Sequence, residues 1–429
     1  MGESLQAGIL PLLELLGIRQ DVERAGFLRP TSALIRWGDT FEEKESLGEP
    51  GFQVDRSHFD QILLNAAASA GIHICQPARA VKIDEAHEGL RKIFVSSEKK
   101  GLICICCRFL VDASGRRGIL GGYKRPTAPL SVAFYGYFRD TGIRGSQTRV
   151  ESGRSHWFWG APLPDGSFNA TVFLGAGEFR AGLSAKGSLN SYFASLLESS
   201  RLLSNCVNGK QMGDLRVCDA TCRADIAPVD GDFFRCGEAA FSIDPLSSQG
   251  VQVSMGSAVH IATAIHTIAQ RPSDYEIARQ FCESRQRQSI ELHHSAAASL
   301  YAQGAERFQT SFWIERSSDA KKVATDDTLP AKITASSLFR VAPDLCFEEV
   351  PIVNGSFIEL TCGISVPCFS KPVVFLGGVK IAPLIQSLER RTWDFQSTMA
   401  LWSKKMPADQ AAGLFHTAVV LGILDVAGS

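Results

Sequence analysis

A net charge is what this sequence most conspicuously lacks. Lys and Arg total 44 against 45 Asp and Glu, so there is no global basic field to hold nucleic acid or an acidic lipid surface. There is no apolar run long enough to span a bilayer. The opening MGESLQAGILPLLELLG lacks the basic start of a secretion signal. Gly2 superficially fits a myristoylation pattern, but Gln6 stands where Ser or Thr is required. Cysteine is sparse, 12 in 429 residues, which excludes a small disulfide scaffold. Cys218 and Cys222 have a loose ligand spacing with no second pair, so they read as small hydrophobes and no metal is expected. Cys104, Cys106 and Cys107 lie in GLICICCRFLVD, which reads as a buried strand. A reducing cytoplasm and no membrane or nucleic-acid partner are the expectation.

What is present is enough apolar material for a sizeable core: 45% hydrophobic and 21% charged residues, in a length that suits two or three domains. VDRSHFDQILLNAAASAG has helical spacing, with Ser57 as its expected cap and Gly71 as its stop. Strands are expected in IHICQPARAVKID, LRKIFVSS and LICICCRFLVD. A second strand group holds SVAFYGYFRD and the hairpin SHWFWGAPLPDGSFNATVFLG, turned at Pro164-Asp165-Gly166. Helices dominate 188–200 and 250–305. Residues 317–337 are polar and read as a linker. The order of elements predicts an α/β core with an inserted antiparallel sheet.

The stretch Cys236 to Gly250, CGEAAFSIDPLSSQG, joins a short apolar strand to a long helix through small residues. With Gly2-Glu3-Ser4, VDRSHFDQILLNAA and FLVDASGRRGIL, it resembles FAD-dependent monooxygenases and the related flavin-dependent halogenases. The resemblance covers residues 1–315. It implies an α/β, Rossmann-like FAD-binding domain at 1–130 and 215–316, with a helical extension, and an antiparallel substrate sheet at 131–214. It also implies cofactor contacts from Glu3, Ser4, Arg56, Asp112, Gly115, Gly237, Glu238, Asp244, Pro245, Gln249, Gly250 and Val251. Small residues let a flat ring approach the backbone, Pro245 stiffens the loop, and the helix starting at Gly250 aims free N–H groups at the ligand. Glu238 stands where the family usually has aspartate. Arg56 suits a phosphate or an ordinary ion pair equally.

Such a protein opens with a strand and a G-x-G-x-x-G turn at a helix start. No such turn occurs here. The chain starts at the Gly-Glu-Ser element that follows that unit in the family, so the expectation is a unit encoded upstream of Met1. As written, the chain is expected to bind FAD poorly and to expose an unpaired strand edge.

Trp157-Phe158-Trp159-Gly160-Ala161-Pro162 resembles the Trp-x-Trp-x-Ile-Pro element of tryptophan halogenases. Trp157, Trp159 and Pro162 are the expected substrate-pocket residues, with plain sheet packing an equal alternative. Halogenases also need a lysine between flavin and substrate. Arg36 occupies the comparable place, and arginine stays protonated; this favours hydroxylation. His156 is the candidate base, with His293 and His294 further options. Electrons would come from NAD(P)H or a partner flavin reductase.

Residues 281–316 and the tail resemble flavoproteins that modify protein tryptophan during quinone-cofactor maturation. The tail, 338–429, reads as a small α+β domain with a winged-helix-like pair of helices, suited to docking a protein. The sequence therefore predicts an FAD-dependent monooxygenase that hydroxylates tryptophan in a partner protein. A small-molecule aromatic hydroxylase or halogenase, and a non-catalytic binding paralogue lacking FAD, are the alternatives.

Overall fold

The structure is a computed structural model. It describes residues 3–46, 48–87, 89–98, 100–119, 124–225, 227–318, 337–366, 371–388 and 391–427. The linker expected at 317–337 lies, from 319 to 336, outside the described residues. The chain forms two compact units. One is Met1–Ala262 with Cys282–Lys322, and the other is Thr263–Phe281 with Val323–Ser429.

The first unit is organised by a seven-stranded sheet. In chain order its strands are β1 (Ser32–Trp37) and β2 (Thr40–Glu45), then, after the strands described below, β7 (Ser131–Arg139), β8 (Thr148–Ser152), β9 (His156–Pro162), β10 (Phe168–Gly175) and β11 (Lys210–Asp219). The spatial order is β11-β7-β10-β9-β8-β1-β2. All pairs are antiparallel except β1 with β8. The sheet expected over 131–214 thus takes two strands from residues 32–45 and ends at Asp219. The β9–β10 hairpin turns where proline, aspartate and glycine stand: Gly166 has φ +79°, and Asp165 Oδ1 accepts from Ser167 N at 3.0 Å.

Alternation gives this sheet two unlike faces. Phe134, Phe158, Ala170, Val172 and Leu174 pack against α2 (Ala176–Lys186) and α3 (Leu189–Glu198) through Phe179, Phe193 and Leu197. Burying each such large side chain contributes about 1.5–3 kcal/mol. The opposite face carries Trp159, Asn169, Thr171 and Phe173 and is left to line a cavity.

Helix α1 (Arg56–Ser69) is capped by Asp55, which accepts from His58 N at 3.1 Å, and not by Ser57. The Ser57 hydroxyl instead donates to Asp55. Strands β3 (Ala78–His87), β4 (Leu90–Ser97) and β5 (Gly101–Cys107) form a separate meander. The expected buried cysteine strand is corrected here: Cys104 and Cys106 are exposed, because the face of β5 that they share with Leu102 is uncovered. Strand β6 (Leu110–Asp112) pairs in parallel with β12 (Phe233–Arg235). Among the described residues β6 is also an edge. The ion pair of Arg91 with Asp232 (2.5 Å) ties the meander to the turn before β12. Three helices follow: α4 (Gly250–Gln270), α5 (Tyr275–Phe308) and α6 (Ser311–Ser317). No helix of the described residues is long and apolar enough to cross a membrane.

The second unit has its own core around Phe339, Ile364, Ile385, Trp402 and Phe415. β13 (Leu338–Val341) is flanked by Trp393–Asp394 and by β16 (Leu424–Val426), while β14 (Cys346–Asn354) and β15 (Phe357–Ser365) make a hairpin. The expected helix pair is α7 (Phe395–Trp402) and α8 (Ala408–Val420), but α8 stops at Val420, and LDV forms β16 instead of more helix. Residues 263–281 belong to this unit as well, through Thr267, whose hydroxyl accepts from Ile358 N at 3.0 Å, and Arg271, which pairs with Glu359 at 2.9 Å.

Candidate functional site

A cavity of about 580 Å³ lies in the first unit, between the free sheet face, the loop 241–248 and the start of α4. That is a usual volume for a cofactor or substrate site. At one end stand Ser4, Arg56, Arg116 and Glu238. Along one side run Asp244, Pro245, Gly250 and Val251. Its roof is Trp159, Asn169, Thr171 and Phe173.

The loop 236–250 explains its own composition. Gly237 has φ +56°, and a Cβ there would meet Ser254 Oγ at 2.9 Å. Glycine lets the strand end turn back tightly against α4, and Gly237 N donates to Ser257 Oγ at 2.9 Å. Asp244 Oδ1 accepts from Leu246 N at 2.9 Å and closes a tight turn at Pro245. Gly250 differs: no atom lies within 4 Å of its would-be Cβ. It opens α4 directly onto the cavity, where the first N–H groups of a long helix have no intrahelical partner.

Asp112 and Gly115 sit behind this loop. Asp112 is buried and accepts from Ser114 N at 2.9 Å and Ile119 N at 3.1 Å. Its backbone oxygen accepts from Cys236 N at 2.8 Å. Gly115, with φ +76°, turns the chain so that Arg116 reaches Glu238 at 3.2 Å. Lys124 Nζ spans both turns, donating to Arg116 O at 2.5 Å and Glu238 O at 2.9 Å; burial lowers its pKa. The two turns are one braced unit. Arg56 makes the ordinary ion pair, with Asp60 at 3.1 Å, and both residues line the cavity.

Beside the roof is a buried polar chain. Trp157 Nε1 donates to Tyr301 Oη at 3.2 Å, and Tyr301 donates to Asp244 Oδ2 at 3.1 Å. Burial raises the pKa of both Asp244 and Tyr301. The chain fixes loop 242–246 against the sheet. Trp157 also stacks on Phe173, with ring centroids 4.0 Å apart. Thr171 Oγ1 donates to Asn169 Oδ1 at 2.9 Å. That bond occupies one acceptor position of the Asn169 amide, whose side chain lines the cavity.

Of the sequence-predicted residues, Ser4, Arg56, Trp159, Glu238, Asp244, Pro245, Gly250 and Val251 line the cavity. Asp112, Gly115 and Gly237 support it from behind. Gln249 lines a different cavity. Glu3 pairs its backbone with Val54, and its side chain is outside the described residues. Trp157 is a packing residue, edge-on to Trp37 and stacked on Phe173.

Three expectations are corrected by strand alternation. His156 and Pro162 share parity with Phe158 and so face the α2–α3 layer, away from the cavity. The His156 ring is edge-on to Phe158 at 4.8 Å, its Nε2 is buried without a partner, and burial lowers its pKa to about 4. Arg36 also faces that layer and meets Glu151 at 3.4 Å, a carboxylate that accepts from Leu202 N at 3.0 Å. Arg36 is therefore not placed at the cavity. His293 and His294 line a small cavity of about 110 Å³ behind the loop.

Sequence reasoning missed Asp60, Arg116, Asn169, Thr171 and Phe173. The roof residues were legible in principle: FNATVF alternates, and Asn169, Thr171 and Phe173 face as Trp159 does. Arg116 follows the DASG turn directly.

The family description for tryptophan halogenases matches residues 35–347. The chain is 28% identical over 333 residues to tryptophan 2-halogenase of Chondromyces crocatus, covering 73% of this chain and 62% of that one. It is 29% identical over 222 residues to the putative FAD-dependent oxidoreductase LodB of Marinomonas mediterranea, covering 50% and 58%. The chain thus spans about three fifths of the length of these curated relatives. Two solved structures share the fold. Peptidyl tryptophan dihydroxylase QhpG has a TM-score of 0.74 at 21% identity, covering 98% of this chain and 91% of that one. The flavin-dependent halogenase CmlS has a TM-score of 0.80 at 17% identity, covering 99% and 88%. The braced turns, the cavity between them and the sheet, and the matched length agree: this chain belongs to the tryptophan halogenase family of flavin-dependent oxidoreductases.

Proposed function

We propose that this chain is an FAD-dependent monooxygenase that hydroxylates an aromatic ring, a tryptophan side chain of a partner protein, on the way to a quinone cofactor. The observation that carries this reading is the cavity wall. It combines aromatic Trp159 and Phe173 with buried Asn169 and Thr171, and no lysine lines it among the described residues. The likeness to QhpG, across nearly the whole chain, supports a peptidyl tryptophan as substrate.

The residues present fit the ring end of FAD. Gly250 leaves room at its Cβ position, the start of α4 offers N–H groups, and Arg56 and Arg116 stand at the far end. The 429 residues contain no G-x-G-x-x-G turn for the pyrophosphate. When bound, FAD supplies the oxygen chemistry, with electrons from NAD(P)H or a partner reductase. The chain's own part is positioning. Trp159 and Phe173 hold a flat ring and exclude water. Asn169 and Thr171 give that wall its polar groups for orienting the substrate. Asp244, held by Tyr301 and the Leu246 amide, keeps the loop rigid.

Halogenation of an aromatic metabolite is the second reading, favoured by the family match itself. The test supplies FAD, a reductant, oxygen and chloride to the chain, with a tryptophan-containing peptide or free tryptophan. Gain of oxygen on the peptide supports the proposal. Chlorine on either substrate overturns it in favour of the second reading. Bound FAD with both substrates left unchanged overturns both readings in favour of a binding protein without catalysis.

A further inference from the structure

We propose that the tryptophan-bearing peptide docks in extended form, as an added antiparallel strand on the free edge of β11, with its tryptophan opposite Cys218. This inference rests on the peptidyl substrate proposed above. β11 and β2 are the two edges of the seven-stranded sheet among the described residues. β2 is blunted by charge: it is exposed throughout and carries Glu42, Glu43, Lys44 and Glu45. β11 differs. A bulge at Gly213, φ +71°, interrupts its pairing with β7, and regular pairing resumes at Arg216. From there the strand reads RVCD, with Val217 exposed and Asp219 already matched by Arg223 at 3.3 Å.

Hydrogen-bond direction fixes which groups of this edge are open. Ala220 N donates to Ser131 O at 2.9 Å, and Cys218 pairs with Ala133 in the same register. Bonded and non-bonded pairs alternate along an antiparallel ladder, so Arg216 and Cys218 turn their backbone groups toward β7. Val217 and Asp219 turn theirs outward, where no strand pairs with them among the described residues. Strand addition uses such a row of N–H and C=O groups for affinity, and adjoining pockets for specificity. Here the adjoining pocket is the large cavity, which Cys218, Asp219 and Ala220 line together with Ala133 of β7. Register sets Cys218, Ala133 and Phe173 side by side across three strands. The two positions nearest the edge are small, so a lane runs over them to the Phe173 ring. On an added strand the residue opposite Cys218 belongs to a non-bonded pair, whose side chains approach most closely. With strands about 4.8 Å apart, an indole there covers Cys218 and points along the lane at Phe173.

Binding tests this without turnover. The probe is the fluorescein-labelled peptide Lys-Thr-Val-Thr-Trp-Thr-Val-Thr-Lys, titrated with the purified chain and followed by anisotropy. It should bind saturably. N-methylation of the two residues flanking its tryptophan removes the N–H groups that face Val217 and Asp219, and should weaken binding by about tenfold or more. Val217→Pro should weaken the parent peptide similarly, since it removes an outward N–H and spares the bonds to β7. Glu45→Pro makes the same change on β2, where Ser46 N donates to Thr31 O at 2.7 Å and leaves Glu45 in a non-bonded pair; it should have no effect. Equal binding of the methylated and parent peptides would overturn the proposal. So would an equal loss in Glu45→Pro and Val217→Pro, or no saturable binding to the unmodified chain. With FAD, a reductant and oxygen added, oxygen gain at a KM unchanged by Val217→Pro would overturn edge docking and leave the reaction standing. Edge-dependent binding without oxygen gain would do the reverse.

Discussion

His156 is the residue whose replacement separates sequence expectation from structure most sharply. Its ring is buried on the α2–α3 side of β9, edge-on to Phe158, with Nε2 unpartnered. Burial lowers its pKa from 6.5 to about 4. The folded state therefore keeps the ring neutral where the unfolded chain takes up a proton. Below pH 6.5 the unfolded state binds more protons, so this group's contribution to stability falls as pH falls and is exhausted below about pH 4. The difference of about 2.5 pH units, at about 1.36 kcal/mol per unit, is worth roughly 3 kcal/mol. His156→Leu keeps an apolar side chain of similar reach and removes the titration. Urea unfolding of both proteins, from neutral pH down to about pH 4, should show the variant's stability falling less, by up to about 3 kcal/mol. FAD affinity should not change. Parallel pH profiles would refute the buried neutral ring. A folded variant that loses cofactor binding would return His156 to the site.

Tyr301→Phe should destabilise the first unit by about 1–3 kcal/mol, because it strands Trp157 Nε1 and an oxygen of Asp244. A double-mutant cycle with Trp157→Phe should give a coupling of about 1 kcal/mol; zero coupling would mean the chain of bonds is not formed. Gly237→Ala should cost about 1–3 kcal/mol by urea unfolding, from φ +56° and the contact with Ser254. Adding Ser254→Ala should return only the part due to the hydroxyl, and a neutral Gly237→Ala would refute the tight approach. Asp232 is held below the usual carboxylate range by its bonds to Arg91. Its contribution is present above the unfolded pKa and is lost as pH falls through the depressed folded value. Asp232→Asn should cost about 1 kcal/mol at neutral pH and flatten the acid limb; an unchanged acid limb would exclude this pair as its source.

Local chemistry made much of this protein legible in its sequence. The hairpin at Pro164–Gly166, the helix over 56–69, the turns at DASG and CGEA and the long helix from Gly250 follow from capping, turn residues and periodicity, which act within a few residues. Of the candidate cofactor residues, Asp112, Gly115, Gly237 and Glu238 sit on two such turns, whereas Ser4, Arg56, Asp244 and Gly250 reach the same cavity from other elements. What the sequence did not decide was which side of a strand faces what. Trp157, Trp159, His156 and Pro162 are neighbours in β9, and alternation divides them between two faces. Only packing against α2 and α3 shows which face is closed and which is left for a ligand. The same holds for Arg36, whose partner Glu151 is distant in sequence. GLICICC reads as buried by composition, yet no element covers the face that carries Leu102, Cys104 and Cys106 among the described residues. The polar roof of Asn169 and Thr171 and the Trp157–Tyr301–Asp244 chain each join residues far apart in the chain. Their contacts exist only once the sheet and helices have closed.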